Sequence, residues 1–377
     1  MIKNEIVDSE RKSSSINEVM FFIENQLSSK IKGRIIKVFT SINWDYLLLP
    51  SVSNYLFEDI NIIENLAPLG QKNRPGEKYK KYYICVHDTG DHNFNAYQWS
   101  EIVKKSKIGK SDYTCSFQYV VGNDGYYHNI PDDEMAKHAG DGHSKESLFG
   151  LIPSGVYTSK KENSKPNIGI NNEGYYTINE QDSKIKAPTN DNKILNTKDI
   201  NDLGIYSELK KIDEDKYEYY LGRTWYNPAY NYIANYGGNL NSIGIETCVN
   251  KNSDIYYSWQ KVAKLVAKLM DDFNLDIDSV VQHHYFSGKN CPKTKRKAGL
   301  WEYFKQIILI EFQMLQYKKE GYNFLFKSKN LEYINDKGRV LKKPEDKSII
   351  VEYEITVNYK NIDSFTKEFK SEIFPDL

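Results

Sequence analysis

The sequence predicts an α/β protein with a small all-β segment towards its C-terminal end, on three observations. Short β-branched and aromatic runs stop at turn residues, as Tyr82-Tyr83-Ile84-Cys85-Val86 does before His87-Asp88-Thr89-Gly90. Two long stretches, 258–273 and 300–317, carry apolar residues at helical spacing. After Glu320 the period becomes two, with Val351, Tyr353, Ile355 and Val357 alternating with polar residues.

At 377 residues the chain suggests two or three domains, and a hydrophobic content of 40% suffices for real cores. The formal net charge is zero, so no basic field favours nucleic acid and no polybasic tail favours a membrane surface. No apolar run approaches the ~20 residues a membrane span needs. The start, Met1-Ile2-Lys3-Asn4, lacks the layout of a signal peptide, so no export route is legible; a chain released without export would need none, and one lacking its leader would look the same. The four cysteines make no dense disulfide framework.

Along the chain, residues 15–27 place Val19, Phe22, Ile23 and Leu27 at near-helical spacing, and region 1–65 is expected to pack beside the core or to carry a small helical module. The run 82–86 reads as a buried strand, which puts His87 at the strand end, facing a cleft at the sheet edge. Residues 95–107 form a fair helical face. Residues 117–121 and 126–130 read as a hairpin around Gly122-Asn123-Asp124-Gly125. Residues 144–237 form a large insertion, whose polar part over 160–202 is expected to be a flexible excursion. Its end is dense in Trp, Tyr and Asn: Trp225 and Tyr226 suit sugar stacking, the alternative being that they anchor the insertion to the core. Residues 242–249 read as a central strand, and residues 258–273 as a helix with its lysines on the outer side.

The chemistry gathers around three of these elements. Gln282-His283-His284-Tyr285-Phe286-Ser287-Gly288-Lys289-Asn290-Cys291-Pro292 sets a histidine eight residues before a cysteine, with loop residues between. Imidazole and thiolate are ligands zinc prefers, and a catalytic zinc takes three protein ligands. His283 keeps the eight-residue offset; His284 faces the other side. His87 is the candidate third ligand. Glu246 sits inside an apolar run, where a carboxylate is costly without a partner, and beside a metal-bound water it is a natural general base. Lys289 suits a cationic role at an oxyanion, with a plain surface charge as the alternative. A cysteine-peptidase nucleophile at Cys291 leaves Glu246 and one histidine unexplained. The cluster Lys293-Thr294-Lys295-Arg296-Lys297 reads as a solvated helix start or, alternatively, a contact for an anionic polymer. His92, His128 and His143 are expected at the surface or in loops, and Cys85 and Cys248 as small buried hydrophobes.

In chain order, Asn73-Arg74-Pro75-Gly76, Val86-His87-Asp88-Thr89-Gly90, His138-Ala139-Gly140-Asp141, Ser242-Ile243-Gly244-Ile245-Glu246 and His283-x7-Cys291-Pro292 with Gly288-Lys289-Asn290 resemble the motifs of zinc-dependent N-acetylmuramoyl-L-alanine amidases. These are the type 2 amidases, related to peptidoglycan recognition proteins and to phage endolysins. The resemblance covers roughly residues 65–143 and 238–312. It implies a mixed, mainly parallel sheet flanked by helices, with zinc at one sheet edge on His87, His283 and Cys291. It implies Glu246 and Lys289 as catalytic residues and His138 as a groove residue, in a segment where Lys137 replaces the family's tryptophan. The implied reaction is hydrolysis of the amide between N-acetylmuramic acid and L-alanine. The implied partner is bacterial peptidoglycan, met outside the cell at the wall by a monomer. The alternative is a non-catalytic or autoinhibited peptidoglycan-binding protein on the same fold. Residues 328–340 and the closing strands resemble bacterial immunoglobulin-like repeats. The expected organisation is therefore region 1–65, catalytic domain 66–316 with insertion 144–237, and an immunoglobulin-like sandwich at 318–377.

Overall fold

The computed structural model describes residues 14–32, 34–36, 46–48, 50–140, 151–159, 166–187, 189–190, 193–194, 207–221, 238–287 and 290–375. The chain opens with helix α1 (Ile16–Glu24) and strand β1 (Lys30–Ile31). Then come β2 (Ile62–Glu64), β3 (Tyr83–Asp88), α2 (Ala96–Lys105) and the hairpin of β4 (Tyr119–Gly122) and β5 (Gly125–His128). The insertion holds β6 (Ile152–Thr158), β7 (Ile168–Ile170), β8 (Tyr175–Ile178), β9 (Gln181–Lys186), β10 (Ser207–Asp213) and β11 (Lys216–Leu221). Next are α3 (Gly238–Asn241), β12 (Ser242–Thr247), α4 (Ile255–Phe273), β13 (Val280–Gln282), α5 (His283–Ser287), α6 (Lys293–Lys297) and α7 (Trp301–Glu320). Strands β14 (Tyr322–Ser328), β15 (Ile349–Tyr359) and β16 (Asp363–Ile373) close the fold.

Six strands form the central sheet in the order β13-β3-β12-β4-β5-β2. The first four run parallel; β5 returns antiparallel to β4, and β2 lies parallel to β5. This is the mixed, mainly parallel sheet flanked by helices that the family resemblance implies. Alternation along each strand sends Ile84, Val86, Ile243 and Ile245 to one face, against Trp259, Val262 and Val266 of α4 and Phe304, Ile307 and Ile308 of α7. The opposite face packs Val120 and Tyr127 under Trp99 and Val103 of α2. Buried on both faces, β3 needs the unbroken apolar run that marks it in the sequence.

Helix α4 begins at Ile255, ahead of the stretch 258–273 read from the sequence, because the Asp254 side chain accepts the N–H of Tyr257. Its lysine side is not left to water. Lys261 lies over the rings of Tyr126 and Tyr257 at 4.6 and 5.3 Å, and Lys264 pairs with Glu311 of α7 at 2.8 Å. Gln260 donates to the Ser53 carbonyl at 2.9 Å, so the segment around 51–57 covers this side.

Two expectations are corrected. The C-terminal strands make one four-stranded sheet, β1-β16-β15-β14, instead of an immunoglobulin-like sandwich. Its inner face, Val351, Tyr353, Ile355 and Val357, is covered by Val19, Met20 and Ile23 of α1 and by Met314 and Tyr317 of α7. The N-terminal helix thus occupies the place a second sheet would take. The insertion, in turn, is not simply an excursion. Sheets β6-β11-β10 and β7-β8-β9 share a core of Val156, Ile168, Tyr176, Ile178, Ala187, Tyr219 and Leu221.

Candidate metal centre and its cleft

Register explains why the candidate residues meet. Glu246 of β12 pairs with His87 of β3, and Gln282 of β13 pairs with Val86. His283, the next residue, therefore stands beside His87 at the carboxyl ends of three adjacent parallel strands. Open α/β sheets characteristically bind ligands at this edge. Glu246, like Gly244 before it, is on the face opposite Ile243 and Ile245, and His87 is on the face opposite Ile84 and Val86.

His87, His283 and Cys291 are all buried, and one donor atom from each lies within 4.8 Å of the others. The Cys291 Sγ is 3.8 Å from His87 Nδ1, and the two imidazole centroids are 4.6 Å apart. In a tetrahedral zinc centre with bonds of about 2.0–2.3 Å, neighbouring donor atoms stand about 3.3–3.8 Å apart. The donor set and spacing suit a borderline-soft divalent ion. The Asp88 N–H donates to Cys291 Sγ at 3.4 Å, which favours the thiolate. Glu246 Oε1 is 3.9 Å from His87 Nδ1, so the carboxylate flanks the same point.

A second donor group, Cys85, His87 and His138, shares His87 through its other nitrogen. There the spacings are 3.1 Å from Nε2 to Cys85 Sγ and 2.9 Å to His138 Nδ1, the lengths of direct hydrogen bonds. Burial, with the charge of Lys81 nearby, pushes the His138 pKa down to about 3, so its ring is neutral. Burial also raises the Cys85 thiol, which stays protonated.

The loop carrying Cys291 is tied down from below. Asp88 accepts from the Thr294 N–H at 2.6 Å, from Thr294 Oγ1 at 2.7 Å and from Lys295 Nζ at 3.4 Å. Lys295 is fully buried, donates also to Thr247 Oγ1 at 3.1 Å, and lies over the ring of Phe304 at 4.9 Å. This corrects the reading of the basic cluster as a solvated helix start: Lys295 points inward while Lys297 stays exposed. Burial lowers the Lys295 pKa, and Asp88 opposes that shift.

The cleft above is about 350 Å³, lined among others by His87, His138, Glu246, Cys291, Tyr113 and Lys137. His87, His283, Cys291 and Glu246 come together as the sequence predicts, with His138 beside them. Lys289, Trp225 and Tyr226 lie outside the described residues. His284 turns the chain: its backbone N–H donates to the Cys291 carbonyl at 3.1 Å. His92 and His128 are not free surface residues. His92 Nδ1 donates to the Val249 carbonyl at 3.0 Å, and His128 stacks on Tyr119. Arg74 of the early Asn-Arg-Pro-Gly motif has a structural role, with Nε and one terminal nitrogen donating to Glu134 at 2.8 and 2.9 Å. Sequence reasoning missed Asp88, Lys295 and the Cys85–His87 contact. Only the two-residue offset of Cys85 from His87, which puts both on one strand face, signals any of them.

A family model described as N-acetylmuramoyl-L-alanine amidase matches residues 211–294, which include Glu246, His283 and Cys291 but not His87. The chain is similar to N-acetylmuramoyl-L-alanine amidase XlyA of Bacillus subtilis (strain 168), 22% identical over 246 residues, 65% of this chain and 50% of the relative. It therefore spans about half the length of that relative. It is also similar to amidase CwlA of the same organism, 36% identical over 80 residues, covering 21% of this chain and 29% of that one. Among solved structures, the catalytic domain of XlyA aligns over 66% of this chain and 99% of its own, at 22% identity and a TM-score of 0.37. The Staphylococcus aureus hydrolase AmiA with its ligand aligns over 69% and 86%, at 10% identity and a TM-score of 0.33.

Proposed function

We propose that this chain is a zinc-dependent amidase that hydrolyses the bond between N-acetylmuramic acid and L-alanine in bacterial peptidoglycan. The observation that carries the reading is the buried group His87, His283 and Cys291 with the Glu246 carboxylate 3.9 Å from His87. The amidase family match and the named relatives support the substrate class. His87, His283 and Cys291 would hold the ion. Bound zinc supplies Lewis-acid polarisation of a carbonyl and acidifies water.

The remaining steps belong to the chain's own groups. Glu246 accepts the proton of the attacking water and returns it to the leaving L-alanine nitrogen, so one carboxylate serves as base and then acid. Lys289, two residues before Cys291, contributes positive charge towards the developing oxyanion. His138 borders the cleft, and Trp225 and Tyr226 supply stacking surface for sugar. Residues 66–316 form the catalytic unit in this reading, acting as a monomer at the cell wall. No helix among the described residues is long and apolar enough to cross a membrane.

The test is mass spectrometry of purified peptidoglycan digested by the zinc-loaded protein, with and without a chelator. The expected products are glycan and stem peptides with new free L-alanine amino termini, absent when zinc is removed. Intact peptidoglycan after incubation with the zinc-loaded chain would contradict the reading.

A further inference from the structure

His138 stands where it can control the His87 ring. Its Nδ1 lies 2.9 Å from His87 Nε2, and the two rings meet edge to face, centroids 5.0 Å apart and planes at 84°. A neutral imidazole that gives Nδ1 to a metal carries its proton on Nε2. That N–H then needs an acceptor, and His138 Nδ1 is at hydrogen-bond distance. Cys85 Sγ is also close, at 3.1 Å, but a thiol is a weak acceptor beside an imidazole nitrogen.

His138 is itself held from two sides. Its backbone N–H and that of Ala139 both donate to Asn239 Oδ1, at 2.8 and 2.7 Å. Its ring packs on Gly244 so closely that a Cβ there would stand 2.8 Å from ring carbons. Glycine in the Ile-Gly-Ile-Glu run is thus required by the approach of this imidazole, two residues before Glu246.

We propose that His138 is a positioning residue: it accepts the Nε2–H of His87, fixes that ring's tautomer and rotation, and so presents Nδ1 to a metal together with His283 and Cys291. The inference rests on the zinc reading of those three donors. It separates His138 from a groove residue that merely touches substrate, because a groove residue has no influence on the metal. Partners that orient metal-bound histidines typically change metal affinity by about 10–100-fold when removed.

The experiment uses the full chain with His138→Ala and His138→Gln. Zinc affinity is measured by competition with a chromophoric chelator, beside thermal melting of the metal-free proteins. The expected result is about 10–100-fold weaker zinc binding for His138→Ala and partial recovery for His138→Gln through its amide oxygen, with both variants still melting cooperatively without metal. Zinc affinity within about twofold of wild type in His138→Ala would overturn the inference alone, since the expected loss is about tenfold or more. A wild-type chain that takes up no zinc would overturn the zinc reading and this inference with it. Ring-nitrogen NMR of the zinc-loaded wild type needs no variant to fold. It is expected to show His87 protonated at Nε2, and a proton on Nδ1 would refute the proposal.

Discussion

The sheet edge at β3, β12 and β13 and the β module at β6–β11 are both β structure, yet they are built differently. Strands β3 and β12 are nearly continuous in burial, parallel, and backed by two long helices. The module's strands alternate, pair as antiparallel hairpins, and share a core of seven buried hydrophobic residues. Precise side-chain geometry needs supports whose own rotamers are locked, and the helix-backed edge supplies them around His87 and Glu246. The difference places the candidate metal-binding groups on the deeply packed edge.

The largest test of that contrast is Glu246→Gln. It is expected to reduce turnover of peptidoglycan by about 10²–10⁴-fold, the range for losing a general base. Zinc content, measured by mass spectrometry of the metal, is expected to match wild type. Next is Lys295→Met, which leaves the Asp88 carboxylate buried without its cation. Breaking a buried pair typically costs about 3–5 kcal/mol, to be read from denaturant midpoints. Lys297→Met, one turn end further on and exposed, is expected to stay within about 0.5 kcal/mol.

In the module, Tyr176→Ala removes a fully packed ring and is expected to cost about 3 kcal/mol locally. Hydrogen exchange should report faster opening of β7–β9 while zinc affinity is unchanged; a fall in zinc affinity would show that the two regions are coupled. The smallest effect expected is a pH dependence at the far side of the central sheet. Burial alone would lower the His128 pKa, but Asp132 and Glu64 outweigh it and leave it raised. A raised folded-state value stabilises fully below the unfolded histidine pKa near about 6.5 and is lost as pH rises through the folded value. The stability gap between wild type and His128→Gln should therefore be wider at acidic than at alkaline pH, and an equal gap at both would refute the assignment.

How much of this was legible in the chain follows from the same contrast. His87, Glu246 and His283 each interrupt or end a buried apolar run, where a polar residue is costly without a purpose, so they stand out. Cys291 is marked by its spacing and loop residues. His138 could be noticed but not understood, because its contact with His87 depends on a loop folding over Gly244. Lys295 was hidden by its basic neighbours: Lys293, Arg296 and Lys297 make the segment look solvated, while the helical turn of α6 sends one lysine inward. The module's core was masked in a similar way, since Ile168, Tyr176 and Ile178 are spaced among Asn, Lys and Glu. The period-two pattern of the C-terminal strands is visible in the chain, and Val351, Tyr353, Ile355 and Val357 do lie inward. Their partners are not visible, because β1 joins β16 from the far end of the chain through a two-residue pairing, Lys30 with Glu372 and Ile31 with Ile373.

The central claim is that the Nδ1 side of His87, not its Nε2 side, faces a metal. Anomalous diffraction from crystals of the zinc-loaded protein, on either side of the zinc absorption edge, tests it most directly. The account predicts one peak at about 2.0–2.3 Å from His87 Nδ1, a ring nitrogen of His283 and Cys291 Sγ. A peak among Cys85, His138 and His87 Nε2 would contradict it.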